Sequence, residues 1–145
     1  MTPLHHPFVL PPYALAMGMA LIEPSEFSER AELAETPQGA PVLTMDFSPR
    51  AEGRPGYFHG GAIGGLLEMA GFAALAAELE ARGAVQAMKP INISVEFLRN
   101  GMPRPVFAQG QVLRAGRRVA NVRVEAWHDN RVAPVASCWM NFRLS

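Results

Sequence analysis

The sequence predicts an α+β protein in which one curved antiparallel sheet wraps around a single long central helix. Three observations predict it. Residues 60–82 are apolar almost all round, as expected of a helix enclosed by other structure rather than lying on a surface. Further on, Ile91, Ile93, Val95 and Phe97 alternate with Asn92, Ser94 and Glu96, and residues 106–114, 119–128 and 132–144 continue as strand candidates. The turns between them, at Gly101-Met102-Pro103, Ala115-Gly116-Arg117 and Asp129-Asn130, are tight, so the strands are expected to follow one another as an antiparallel meander.

The earlier elements are shorter. Pro11-Pro12 opens a helix over 13–17, which Gly18 ends. Residues 19–23 read as a strand. Residues 24–40, with Glu26, Glu29, Glu32 and Glu35 among prolines and Gly39, are expected as an exposed acidic excursion. Val42, Thr44, Asp46 and Ser48 alternate with Leu43, Met45 and Phe47, a second strand, and a glycine- and proline-rich loop over 51–58 leads to the long helix. One domain over 1–145 is expected, with 1–16 as an N-terminal segment, since a chain of 145 residues buries roughly two-thirds of its unfolded surface in one core. His5 and His6 are expected in a mobile tail.

Thirteen bases balance thirteen acids, so the overall field does not point to nucleic acid. The balance is uneven along the chain: residues 1–88 carry four Arg against ten acids, and residues 89–145 carry nine bases against Glu96, Glu125 and Asp129. The basic half is either a solvated face or a receiver of anions. The single cysteine, Cys138, excludes an internal disulfide and fits a reducing compartment; with no basic residue before Arg30 to form a secretory leader, a cytoplasmic protein is expected. Residues 60–77 are long enough to span a bilayer, but Glu68 near their centre would be costly in lipid, so no membrane is expected.

Glu68 is the only ionisable side chain between Gly60 and Ala77. A carboxylate in such surroundings is a functional candidate, or pairs with an arginine such as Arg99 or Arg123, or points into a groove. His59-Gly60-Gly61 heads the same helix, where free N–H groups suit a polarised carbonyl oxygen, or where glycines merely allow a turn and close packing. Gly60 and Glu68 are eight residues apart, about 12 Å along the axis at 1.5 Å per residue. Groups acting on one carbonyl lie within a few ångströms of it, so one chain cannot bring both to the same atom. Two antiparallel copies of the helix can. Cys138 falls on the core face of its strand, four His and one Cys give no metal spacing, and no nucleophile elbow or phosphate loop occurs. Trp127 and Trp139 fall on the opposite strand faces, at a subunit interface or half-exposed.

The stretch Gly56-Tyr57-Phe58-His59-Gly60-Gly61-Ala62-Ile63-Gly64-Gly65-Leu66-Leu67-Glu68 resembles the His-Gly-Gly helix of the hotdog-fold thioesterases, the PaaI-like group, where an acid follows the histidine nine positions later. Residues 91–99, 112–118 and 132–142 resemble later strands of that family. The resemblance implies a hotdog fold, a homodimer or dimer of dimers, and hydrolysis of acyl-CoA, with coenzyme A as part of the substrate and no separate cofactor. It implies that the Gly60 amide, with Gly61 beside it and His59 before it, polarises the thioester carbonyl. Glu68 of the partner subunit then acts as general base or nucleophile. Arg99, Arg114, Arg117 and Arg118 are the candidates for the CoA phosphates. Two positions depart from the pattern. Gly53 stands where many relatives have Asn, and Pro90 where many have Ser or Thr, with Asn92 the nearest polar substitute. These departures keep a non-catalytic acyl-CoA binder as an alternative. The helix also resembles that of hotdog hydroxyacyl dehydratases, but Arg54 stands where those enzymes need a histidine.

Overall fold

A computed structural model describes residues 8–33, 36–37 and 39–145; His5, His6 and Glu35 lie outside the described residues. Helix α1 (Pro12–Ala16) begins on a proline and gives way to Gly18, whose φ of 78° reverses the chain into β1 (Met19–Leu21). β2 (Val42–Met45) precedes the long helix α2 (Gly60–Ala81), and β3 (Met88–Phe97), β4 (Val106–Ala115), β5 (Val119–Trp127) and β6 (Ala136–Leu144) follow. β6 starts later than the alternation suggests. Asn130 closes a turn over 130–133, accepting the Val132 N–H on Oδ1 and the Ala133 N–H on its carbonyl.

All six strands form one antiparallel sheet in the order β1-β2-β4-β5-β6-β3. Only β4, β5 and β6 make the expected meander. β3 leaves the neighbouring position and pairs with β6 from Phe97↔Ala136 to Met88↔Leu144. The connection to β4 crosses the end of the sheet instead of turning tightly. Its Leu98 and Arg99 amides donate to Val135 O, its Gly101 carbonyl accepts the Phe58 N–H at 2.9 Å, and its Met102 N–H donates to His128 Nε2 at 2.9 Å. Gly101 is required there, since a Cβ would lie 2.7 Å from both Ile63 Cδ1 and Phe58 Cβ.

α2 fills the concave side. Leu66, Leu67, Ala70, Ala73 and Leu75 are fully buried, and the sheet answers with Ala108, Val122, Val124, Met140 and Phe142. The closest approach is at Gly110, where a Cβ would sit 2.7 Å from Ala74 Cβ and 3.0 Å from Ala70 O. The helix is long and apolar enough to cross a membrane, but 67% of its most apolar window is buried against the rest of the chain.

A second, smaller core lies on the convex side and corrects one expectation. The acid-rich segment forms two short 3₁₀ turns, Pro24–Glu29 and Ala31–Leu33, that bury Phe27 and Leu33 against Ile22, Val42, Phe107 and Trp127. Its Glu29 and Arg30 are exposed, while Phe27 and Leu33 anchor it to the sheet. Trp127, expected at an interface or half-exposed, is fully buried beneath it and donates its indole N–H to Glu32 O at 2.8 Å. Arg131 closes the edge of this cluster, 4.6 Å from the Trp127 ring and 3.6 Å from Glu125. Trp139, by contrast, is 48% exposed.

Candidate active site

The loop before α2 is held by its own backbone: Gly53 donates to Tyr57 O, Tyr57 to Arg54 O, and His59 to Ala51 O at 2.7 Å. These bonds deliver His59 in an extended conformation as the N-cap of α2. Its Nδ1 accepts the Gly61 N–H at 2.8 Å, and its carbonyl accepts the Ala62 and Ile63 amides at 3.0 and 3.2 Å. A Cβ on Gly61 would lie 2.9 Å from Nδ1, so the glycine permits this cap. Of the first-turn amides, Gly60 alone has no acceptor among the described residues. Its Cα is shelved by the Phe97 ring of β3, which a Cβ would approach to 3.3 Å.

Gly60, Gly64 and Glu68 follow at four-residue spacing and so share one face of the helix. Nothing lies within 4 Å of a Cβ built on Gly64, whereas Gly65 is occupied by the Tyr13 ring. Glu68 is half-buried between buried Leu67 and Met69, and its carboxylate has no hydrogen-bond or ion-pair partner among the described residues. Arg99 is turned away, donating to Pro134 O at 2.6 Å, and Arg123 lies 5.6 Å over the Trp139 ring on the other side of the sheet. Across the core from Glu68 is the buried Cys138 thiol, pushed up to about 12 by burial and, secondarily, by the Glu68 charge. That thiol is inert at neutral pH.

The remaining sequence candidates separate. Asn92 lies opposite Asn141 on the convex face, away from α2, and its Oδ1 accepts the Asn141 amide at 2.8 Å. Arg114, Arg117 and Arg118 are exposed around the β4–β5 turn, near the C-terminal end of α2, where Arg82 donates to Ala115 O. Arg99 sits at the opposite end, beside Phe97. It borders a cleft of about 340 Å³ with Arg104, His128 and Asp129. His128 is 5% exposed and doubly bonded, to the Met102 N–H and to Pro105 O; burial is the main cause that holds its pKa below 6.5. A larger cavity, about 410 Å³, lies between the C-terminal half of α2 and the free edge of β4, and none of the candidates lines it. Within one chain the half-buried Glu68 shares its helix face with Gly64, where a Cβ would meet nothing within 4 Å. Among the described residues no cluster of three His, Cys, Asp or Glu could hold a metal. Alternation alone had not singled out Phe97 or the Gly60-Gly64-Glu68 stripe, although the four-residue spacing of the stripe is visible in the sequence.

A sheet curled round one helix, with a histidine-capped glycine start and a lone carboxylate two turns on, defines a hotdog-fold protein of thioesterase type. The thioesterase superfamily model matches residues 55–135, more than half of the chain, and the chain belongs to that family. It is similar to a solved structure from Chromobacterium violaceum at 32% identity and a TM-score of 0.66, covering 92% of this chain and 83% of that one. It also shares its fold with a thioesterase from Haemophilus influenzae (15% identity, TM-score 0.70, covering 92% and 82%). A mutant of the phenylacetic acid degradation protein PaaI from Thermus thermophilus is a further fold relative (19% identity, TM-score 0.64, covering 92% and 98%). A search of curated protein sequences finds no match.

Proposed function

We propose that this protein hydrolyses acyl-CoA thioesters in a composite site made by two copies of the chain. The observation that carries the reading is the pair formed by the Gly60 N–H and the Glu68 carboxylate, both without partners among the described residues and on one face of α2. Their axial separation of about 12 Å is too long for one substrate carbonyl. A second copy with its helix antiparallel supplies the missing half twice over. The apolar side chains left uncovered on β3, Ile91 at 58%, Ile93 at 38% and Phe97 at 59%, support the same pairing, because β3 is a sheet edge with its pleat exposed.

In this reading the Gly60 N–H, at the positive end of the α2 dipole, stabilises the oxygen of the thioester carbonyl as it becomes anionic. Glu68 of the partner subunit accepts a proton from water, whose oxygen bonds to the carbonyl carbon. As the tetrahedral intermediate collapses the C–S bond breaks, the proton passes to the thiolate, and free acid and CoA leave. Attack by Glu68 itself, through an acyl anhydride that water then opens, uses the same geometry. His59 caps the helix and holds Gly61, so it positions Gly60 rather than touching the substrate. Arg99, with Arg114, Arg117 and Arg118 of the partner subunit, is assigned to the CoA phosphates, since antiparallel copies bring opposite helix ends to one side.

The second reading is an acyl-CoA binder without turnover. Gly53 favours it: a Cβ there would lie 3.0 Å from His59 Cα, so no side chain reaches the site from this position. Thiol release from short, medium, long and aromatic acyl-CoAs decides between them. Hydrolysis that falls by about a thousandfold or more in Glu68→Gln, with the dimer intact in sedimentation, supports the enzyme, since positioned proton transfer contributes roughly 10²–10⁴. Saturable CoA binding with no release from any member supports the binder.

A further inference from the structure

We propose that the cavity between the C-terminal half of α2 and the free edge of β4 is a second ligand site, shaped for a short neutral peptide-like molecule of about one blocked amino-acid residue. The backbone carries the inference. The Val42 carbonyl accepts the Ile22 N–H, so Val42 turns its backbone groups to β1 and Leu43 turns its own to β4, opposite Ala108. Successive residues alternate sides, so Gly110 and Val112 present N–H and C=O to the same edge as Ala108. The far end of the strand agrees: Gly116 donates to Val119 O, so Arg114 and, past the bulge, Gln111 and Gln109 are the residues that bond β5. β2 begins at Val42, opposite Gln109, and reaches no further along β4. Gly110 and Val112 therefore have no partner on that edge among the described residues. Gly110 is also buried, and buried backbone donors and acceptors are nearly always bonded.

The surroundings limit what can meet them. Gln109 points to the convex side, away from the core face of Ala108, and its Nε2 donates to Pro37 O and Ala40 O, both at 2.9 Å, which draws that segment off the edge. Pro41 has no N–H with which to extend β2. At the other end Arg82 donates to Ala115 O at 3.1 Å. Among the described residues only 110–112 are left free between these two closures, too short a stretch for a passing strand of another chain. The cavity holds about 410 Å³, within the roughly 300–1,000 Å³ of small-molecule sites, and Ala74, Ala77 and Ala81 give it a wall of methyl groups. Its charges are paired internally, Glu78 with Arg82 at 2.6 Å and Arg131 with Glu125 at 3.6 Å, so neither an anion nor a cation is called for. A residue blocked at both ends matches: its C=O takes the Gly110 N–H, its N–H donates to the Gly110 C=O, and a small side chain lies on the alanines. Ala74 follows Glu68 by six residues, about a third of a turn out of line, so this site opens on a different side of α2 from Gly60, Gly64 and Glu68. It stands whether or not those residues hydrolyse thioesters.

The test titrates N-acetylalanine N′-methylamide into isotope-labelled full-length protein and follows the backbone amide resonances. The expected result is saturable shifts at Gly110, Gln111 and Val112, with a dissociation constant of about 1–10 mM for a probe this small. Methyl O-acetyllactate has the same shape and carbonyls but no N–H, and should bind about tenfold or more weakly. Ala77→Leu, which fills the cavity from α2, should abolish the shifts at an unchanged melting temperature, and Ala77→Ser should retain them. Equal binding of amide and diester overturns the proposal, as does binding that survives in folded Ala77→Leu. So do shifts centred on Gly60 and Glu68, which would make the probe a substrate mimic, and the absence of any saturable shift, which leaves the edge to water. Should Ala77→Leu fail to fold, the amide–diester comparison on wild type decides alone.

Discussion

His59 Nδ1 accepts the Gly61 N–H at 2.8 Å, and this leaves Gly60 as the one first-turn amide without an acceptor among the described residues. The histidine at the head of the motif is thereby a cap, and in the proposed mechanism its effect on catalysis is indirect. His59→Ala should lower stability by about 1 kcal/mol, the usual cost of losing an N-cap, while His59→Asn or His59→Ser restores most of it. Chemical denaturation measures the loss. The capping variants should also recover most of the thioesterase activity that His59→Ala loses; no recovery in a fully capped variant would give the imidazole a direct role.

Gly53 packs against the same histidine. Gly53→Asn should destabilise the protein by about 1–3 kcal/mol, the ordinary cost of overpacking, because the added Cβ meets His59 backbone and cannot be relieved by a side-chain rotation. A thermal melt checks it. A stabilised Gly53→Asn protein with faster hydrolysis would show instead that the loop yields and that the residue common in relatives fits here.

Stability should fall on mild acidification through His128. Its folded-state pKa lies below the 6.5 of the unfolded chain, so above 6.5 both states hold it neutral and its contribution is full. As pH drops below 6.5 the unfolded chain takes up the proton first, and unfolding gains free energy until the folded pKa is passed. Arg104 adds to this by repulsion, and Asp129 opposes it. Melting temperatures at about pH 7.5 and about pH 5.5, on either side of the unfolded value, should differ more for wild type than for His128→Gln, whose amide can serve both Met102 N–H and Pro105 O. Equal slopes would place the acid sensitivity elsewhere.

Gly110→Ala should cost about 1–3 kcal/mol. The new methyl meets Ala74 Cβ at 2.7 Å and the Ala70 carbonyl at 3.0 Å, so the helix as a whole must lift from β4. Gly64→Ala, facing open space within one chain, should leave a monomeric protein as stable as before or slightly more so. In the proposed dimer it should weaken association, which sedimentation at low concentration would reveal.

Local patterns in the chain were legible wherever one physical cause set them. The all-apolar run made α2, and alternation made β3 to β6. The rise of a helix already separated Gly60 from Glu68. What escaped depended on distant segments. Trp127 reads as an outward-facing residue of β5 until Phe27 and Leu33, far earlier in the chain, cover it. The β3–β4 connection reads as a tight turn because Gly101 and Pro103 suggest one, yet Gly101 serves a crossing under Phe58 and Ile63. Arg99 and the arginines near Gly116, named together as candidates for the CoA phosphates, lie at opposite ends of α2, which strand direction decides.

Phe97, which shelves Gly60, belongs to a strand whose only sheet partner among the described residues is β6, roughly 40 to 55 positions later in the chain. Contacts that distant are slow to form, so the β4–β5–β6 hairpins should assemble before β3 joins them. During that interval β6 offers a bare edge and β3 an apolar alternating segment, the combination that seeds misassembly between nascent chains. The strand that completes the candidate site is therefore also the one whose late arrival governs whether the polypeptide reaches its native state or aggregates on the way.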